Sequence, residues 1–505
     1  MSKQIDSDYN QQYIFPITLE QWIDERHPAR FIREFVESLD LANMGFAMSN
    51  TDEGRPAYSV ALLLKVWLYG LFMKIMSSRG LEHACYDILG MIWLAGTHKP
   101  DHNTIWRFYR DNKDKIKKIF NRTLRYAIKL EMIGFVLHAI DGTKIAANVS
   151  RQRALHKEDL DYILNHLDEI VNEKIKVAEG AMEEEHYIEM KMPEKLKNKK
   201  YLKAIIREKI EEEALSNAPL EEIKQEVKKV LQEKKEGLES KELKHESVTD
   251  NDARMMKVGS YTMFAYNAQA VVDEKSKLIV ACDVVQDESD NNQLTNMMEH
   301  TQQQVDQVAD ITVADGGYFS GEELQKAADK GYEVLVPIRH VPKTSDGQEN
   351  KYHITNFKYD KEKDMFICPE GKELPFKVET TRTDRKHNTK RYQCYYYKEC
   401  PHRQQCSKDK KGRKLEISPF SEIVDKQKQK QQVAAYKKML SKRKEIIEHV
   451  FGIIKCIMGF NKWTVRGLKN VKAQWYYLCT AYNLKKIYRQ WLKINTLIPE
   501  KALIS

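Results

Sequence analysis

Apolar and polar positions divide the chain into helical ends and a middle in which strands alternate with helices. From residue 14 to 130 the apolar positions recur at helical spacing. Pro56 to Met76 is densely apolar, and Leu81 to Trp93 continues the helical pattern. Gly96-Thr97-His98-Lys99-Pro100 reads as a turn, and Asp101-His102-Asn103-Thr104 as a polar helix start. A helix is expected from Thr104 to Leu130, with Arg107, Arg110, Lys113, Lys115, Lys117 and Lys118 along it. Helix, short turn and basic helix fit a DNA-binding helix-turn-helix, and they fit an ordinary helical bundle.

The middle changes period. Phe135 to Ile140 is a short apolar run that closes on Asp141-Gly142, which predicts a buried strand delivering a carboxylate at its end. Residues 151–250 carry 45 Asp, Glu, Lys and Arg with two Gly and two Pro, and Leu160, Ile163, Leu164, Leu167 and Ile170 keep helical spacing. This predicts a charged helical insertion without a catalytic role. Tyr261 to Val272 and Lys277 to Val285 read as strands of a hairpin turning at Asp273-Glu274-Lys275-Ser276. A helix over 291–304, a strand Ile311 to Ala314 ending on Asp315-Gly316, a helix Gly321 to Lys330 and a strand Tyr332 to Ile338 follow. Residues 340–425 are polar and hold a group of cysteines, and long helices are expected over 426–458 and 470–493.

Charge narrows the function. The net charge is +9, but residues 401–500 hold 23 Lys and Arg against 7 Asp and Glu, a local excess of +16. A basic C-terminal region suits a polyanion such as DNA; a solvated basic surface is the alternative. Val60 to Met76 is interrupted by Lys65 and Lys74 and is too short for a membrane span, so a buried helix is expected. The polar start MSKQIDSDYNQQY lacks an apolar signal core, which leads to the expectation of a cytoplasmic protein.

The candidate chemistry lies in carboxylates. Two apolar strands each close on Asp-Gly, at Asp141 and at Asp315. Carboxylates at the ends of neighbouring strands can hold a hard divalent cation, whereas an isolated Asp-Gly is usually a turn. A third acid is expected from the helix Ser441 to Lys455, where Leu440, Ile447, Val450, Ile454 and Met458 mark a buried stripe. Glu448 sits beside the stripe and Lys455 lies seven residues on, two turns along the same face of a regular helix. Glu445, close to Lys442 and Lys444, is the rival acid, and an ordinary pair of surface charges is the alternative for Glu448.

Together these motifs resemble a family. The set comprises Arg55-Pro56, Pro100 to Thr104, Ala139-Ile140-Asp141-Gly142-Thr143-Lys144, Asp250-Asn251-Asp252-Ala253-Arg254, Tyr266-Asn267-Ala268-Gln269, Val313 to Tyr318 and Arg443 to Lys455. In this order it resembles the bacterial insertion-sequence DDE transposases, in the group numbered eleven eighty-two of the class with a Tyr-Arg-Glu-Lys signature. The resemblance implies an α/β fold with an RNase H-like mixed-sheet catalytic core. A helical DNA-binding domain over 1–130 would precede it. The core would run through 131–150, 251–339 and 426–505, interrupted by the charged helical insertion 151–250 and the cysteine-bearing insertion 340–425. It makes Asp141, Asp315 and Glu448 a triad for two Mg²⁺ or Mn²⁺ ions and Lys455 the signature lysine that binds phosphate near the scissile bond. The tyrosine position of the signature holds Ser441 and its arginine position Lys444, with Arg443 one residue away. The implied activity is cutting of element ends and joining to target DNA. The partners are terminal inverted repeats and target DNA, held by a homo-oligomer on paired ends in the nucleoid. A catalytically inactive DNA-binding repressor and a nuclease without strand transfer are the competing readings. The residues expected to contact DNA are Arg107, Arg110, Arg443, Lys455 and Lys469.

Cys368, Cys394, Cys400 and Cys406 form a separate candidate. Four thiolates suffice for a tetrahedral structural zinc site, with His402 as an alternative ligand. Reduced free thiols and disulfides stay open beside it. Trp463, Trp475 and Trp491 lie among Lys462, Arg466, Lys469 and Lys472, where core packing competes with stacking on an unpaired base.

Overall fold

The computed structural model describes residues 18–48, 57–149, 154–167, 220–240, 242–247, 249–338, 351–381 and 388–497. Arg55-Pro56 and the 168–219 part of the charged insertion lie outside them.

The N-terminal region is built from helices α1 (Pro28–Glu37), α2 (Val60–Phe72), α3 (Ser78–Asp87), α4 (Leu89–Leu94), α5 (His102–Asn112) and α6 (Ile116–Lys129). Leu63, Leu64, Val66, Trp67 and Leu68 bury α2 as expected. Asp101 caps α5 by accepting from the Asn103 and Thr104 amides at 2.9 and 3.0 Å. The single helix expected from Thr104 to Leu130 is two, separated by a tight turn at Lys113–Lys115. The Asn112 side chain donates to the Phe108 carbonyl at 2.9 Å and accepts from Lys115 at 2.8 Å, so it competes with the helical ladder at the break.

The six-stranded sheet begins with β1 (Leu137–Ala146). Next, β2 (Ala154–His156) and β3 (His245–Ser247) pair antiparallel and bracket the charged segment. Between them helices α7 (Lys157–Asn165) and α8 (Leu220–Ser240) bury Leu160 and Ile163 beside Val227, Leu231 and Leu238. The sheet continues with β4 (Arg254–Val258), β5 (Tyr261–Asp273) and β6 (Ile279–Val285), then α9 (Leu294–Val305), β7 (Ile311–Val313), α10 (Gly321–Asp329) and β8 (Val334–Leu335). Its order is β4-β5-β1-β7-β8, with β6 also on β5. β1 runs antiparallel to β5 and parallel to β7, and β7 runs parallel to β8. The expected hairpin is therefore present as β5 and β6.

A second sheet, unanticipated from sequence, follows: β9 (Lys358–Asp360), β10 (Met365–Ile367), β11 (Glu373–Thr381), β12 (Asn388–Gln393) and β13 (Lys414–Ile417), in the order β13-β12-β11-β10-β9. The chain ends in α11 (Ser421–Gln432), α12 (Ala434–Gly452) and α13 (Leu468–Leu497). The long helix expected over 426–458 breaks at Val433, whose extended backbone ends α11 and starts α12.

α13 binds the two halves together. The Trp475 indole donates to the Gln269 carbonyl at 3.0 Å, and the Asn483 amide pairs with both backbone groups of Ile279. On its other side the Tyr109 hydroxyl donates to the Asn470 carbonyl at 2.6 Å. Buried residues from Ile23 to Ile487 join in one hydrophobic cluster, so the N-terminal helices, the large sheet and α13 share a core. Trp463 and Trp475 lie inside it, which favours packing over base stacking for both. Trp491 packs on its margin, beside Phe31 and Tyr488.

Candidate active site

The two Asp-Gly carboxylates meet at one corner of the large sheet. β7 pairs with β1 only over Leu137–Ala139, with Ala139 opposite Val313. Two residues beyond that pair lie Asp141 on one strand and Asp315 on the other. Past Ala139 the edge of β1 toward β7 is released into a crevice at the strand ends, where parallel strands commonly open a binding site. Asp315 follows its strand as expected and accepts from the Gly317 amide at 2.6 Å. Asp141 differs from expectation. β1 does not end there but runs on to Ala146, because β5 continues the ladder from His138 to Ala146 on the other side.

Asp141 is nearly buried, and burial pushes its carboxyl up to about 6; Arg443 opposes that rise and Asp315 adds to it. Its Oδ1 accepts from the Gly142 amide at 2.8 Å and its Oδ2 from Arg443 Nη1 at 2.7 Å. Arg443 comes from α12, whose Ile446, Ile447 and Val450 are buried. Arg443, expected to contact DNA, is thus turned inward onto Asp141. Lys455 also turns inward and donates to the Thr143 hydroxyl on β1. Burial lowers its pKa, and Cys456 and Asp141 act in the opposite direction.

Glu448 stands apart from this group. Glu445 and Glu448 are both exposed on α12, and among the described residues no hydrogen bond or ion pair joins Glu448 to Asp141 or Asp315. The regular spacing expected between Glu448 and Lys455 is broken by a wide π turn at Ile453–Ile457, so the two residues do not share an α-helical face in the expected way. Ser441 and Lys444, at the two departing signature positions, are exposed. Among the described residues, no three acidic, histidine or cysteine side chains are gathered closely enough to hold a metal ion.

A polar network behind the aspartates escaped sequence reasoning. Gln269 on β5 faces Gly142 on β1. The Asn267 and Gln269 amides each donate to Asp290 Oδ1 at 2.7 Å, and the buried Tyr318 hydroxyl donates to Gln269. A Cβ on Gly142 would lie 2.3 Å from the Gln269 amide nitrogen and 2.6 Å from Asp290 Oδ1. Gly142 therefore leaves room for the network and does not turn the chain. The available signal was two polar residues at strand period, Asn267 and Gln269, inside an otherwise apolar run. Asp290 carries no such signal, since it sits in a polar loop.

The other candidates are dispersed. Cys394 and Cys406 have thiols raised by burial, with Cys368 and Cys400 near enough to raise both further. All four are free and half-buried. Arg107, Arg110 and Lys469 are exposed, and Arg110 pairs with Asp111 at 2.7 Å. Among the described residues no helix is long and apolar enough to cross a membrane.

Two family models match the chain. A transposase DDE domain matches residues 367–488, and a transposase domain (DUF772) matches residues 17–111. The first contains Glu448, Lys455 and the four cysteines; Asp141 and Asp315 fall outside both. Both matches support a DDE transposase role. A search of curated proteins gave no significant match.

Proposed function

We propose that this chain is the DNA transposase of an insertion sequence, in the group numbered eleven eighty-two of the Tyr-Arg-Glu-Lys class. It cuts element ends and joins them to target DNA by divalent-metal-dependent phosphoryl transfer. The observation that carries the reading is the convergence of Asp141 and Asp315 at one crevice, with Arg443 and Lys455 beside them. The strand order, with β5 and β6 antiparallel to their neighbours and β1, β7 and β8 parallel, supports an RNase H-like core assembled from 131–150, 251–339 and 426–505. Residues 1–130 form its DNA-binding domain, with 151–250 and 340–425 as insertions.

The donor set fits Mg²⁺ or Mn²⁺. Asp141 and Asp315 are hard oxygen donors, and the rise of Asp141 to about 6 reflects burial and a like charge that a cation relieves. Asp141, Asp315 and Glu448 would hold two ions. When bound, such ions activate water or a 3′-hydroxyl and neutralise charge at the reacting phosphate. Asp141 exchanges its ion pair with Arg443 for that role, which frees the guanidinium for a DNA phosphate. Lys455, anchored on Thr143, presents its ammonium to a phosphate beside the scissile bond. Exposed Arg107 and Arg110 read the element end while Lys469 holds backbone. The cysteine sheet binds one structural Zn²⁺ through Cys368, Cys394, Cys400 and Cys406. The protein acts on nucleoid DNA as a homo-oligomer that pairs the ends.

The test is incubation of the purified chain and Mg²⁺ with DNA carrying the terminal inverted repeats that flank its reading frame. Cleavage at the ends followed by joining to a second duplex is expected, with both lost in chelator. Binding without cleavage would leave the inactive repressor, and cleavage without joining the nuclease.

A further inference from the structure

Asp290 lies in the loop between β6 and α9, where an acid usually serves the helix start. It does not do so here: α9 has Gln293 at its cap position and no side-chain capping bond. The Asp290 carboxylate instead turns into the sheet, where Oδ1 accepts from both Asn267 and Gln269 at 2.7 Å. Its Oδ2 lies 3.6 Å from the Cβ position of Gly317, whose amide is held by Asp315. Asp290, Asp141 and Asp315 all act on the buried Tyr318 hydroxyl, which places the three carboxylates around one point.

A second observation comes from Asn267, which is 1% exposed. Its Nδ2 donates to the Asp287 carbonyl at 3.2 Å and to Asp290, which fixes the orientation of the amide. Its Oδ1 is then buried with no hydrogen-bond partner, and it lies 2.8 Å from the Cβ position of Gly142, next to Asp141. A buried acceptor without a donor is rare, and one aimed at a group of carboxylates suits a cation or its bound water.

We propose that Asp290 is a further carboxylate of the divalent-cation site, held by Asn267 and Gln269 so that its second oxygen joins Asp141 and Asp315. The assignment rests on reading Asp141 and Asp315 as cation ligands. Asn267 and Gln269 are then positioning residues, and Gly142 leaves the space in which Asp290 reaches the site.

Mn²⁺ binding to the full chain, followed by electron paramagnetic resonance without DNA, tests this. Asp290→Asn should weaken Mn²⁺ binding by about tenfold or more, as loss of a metal-site group does, with the circular dichroism and thermal midpoint of the parent retained. Wild-type affinity in Asp290→Asn, together with a loss in Asp141→Asn, overturns the proposal and leaves the Asp141–Asp315 site standing. Unchanged affinity in both variants overturns that site as well. Asp290→Cys covers the case in which Asp290→Asn misfolds. A thiolate favours softer metals, so DNA-end cleavage should fall in Mg²⁺ and recover in Mn²⁺ or Cd²⁺. A folded Asp290→Cys chain with the wild-type metal preference overturns the proposal.

Discussion

The two sheets stabilise themselves differently. The large sheet buries Ala139, Ile140, Val271, Ile279, Val280 and Val313 in a cluster that also takes in the N-terminal helices and α13. The small sheet has five buried core residues, Phe357, Phe366, Leu374, Tyr392 and Leu415, with Cys368, Cys394, Cys406 and Ile417 against them. Their aspartates respond in opposite directions. Asp141 in the large sheet is raised by burial, while Asp364 in the small sheet is lowered by hydrogen bonds from Tyr359 and Tyr392, each 2.5 Å long. A large apolar core can hold a carboxylate in an unfavourable state for later use. A small one places its charges where hydrogen bonds already satisfy them and needs other cross-links for stability.

The largest effect should come from removing the charge that the large sheet holds. Asp141→Asn or Asp315→Asn should cut Mg²⁺-dependent cleavage of DNA ends by about a thousandfold or more, the scale for groups acting as one catalytic unit. The double variant should be little worse than either single one, and DNA binding should persist. Glu448→Ala sharpens the comparison, because its exposed position leaves its part in the unit to be measured. Near-normal cleavage in Glu448→Ala with loss in Glu445→Ala would move the third ligand to Glu445.

Next is the cross-link of the small sheet. With zinc on its four thiols, purified reduced protein should contain about one zinc per chain. Cys400→Ser should release it and make residues 358–417 sensitive to protease while the large sheet stays resistant. Freshly purified protein without zinc on elemental analysis would remove the cross-link. The five core residues and the Asp364 hydrogen bonds would then have to suffice.

Core truncation separates the sheets by a smaller margin. Leu374→Ala and Leu278→Ala both empty fully buried positions and should each cost about 2–5 kcal/mol. In the small sheet that loss should open β9–β13 to hydrogen exchange. In the large sheet the shared core should keep β5 and β6 protected. Equal protection in both variants would show that the small sheet is stabilised from elsewhere in the chain.

The sequence was most legible where pattern and packing agree. The β5–β6 hairpin, α2, α9 and α10 follow from alternation, apolar density and turn residues, and Asp315 was expected where it stands. Gly142 misled, because Asp-Gly normally marks a turn, whereas here the missing side chain makes room for Gln269 and Asp290. The small sheet was hidden by short polar strands, of which β9 and β10 have three residues each. The helix breaks at Lys113–Lys115 and Val433 depend on one side chain and one backbone conformation. Asp290 and its two amides come together only through the register of β5 against β1 and a loop 21 and 23 residues away from them in sequence.

The smallest expected effect is the pH dependence of the raised Asp141. In metal-free protein its carboxyl titrates near 6, against an ordinary value of 3.8 in the unfolded chain. The folded state therefore holds a proton that the unfolded state has released between these values. Stability from this group is fully present below about pH 4 and is lost as pH rises through about 6. At about 1.4 kcal/mol per unit, the whole change is no more than roughly 3 kcal/mol. Asp141→Asn cannot titrate, so in chelator the wild-type thermal midpoint should fall relative to this variant as pH rises from 4 to 6, then run parallel to it. Excess Mg²⁺ should flatten the difference, because a bound cation keeps the carboxylate ionised in the folded state as well. If the difference ran the other way, with wild type gaining on the variant as pH rises, Arg443 would outweigh burial at Asp141. The contrast with Asp364 would then disappear.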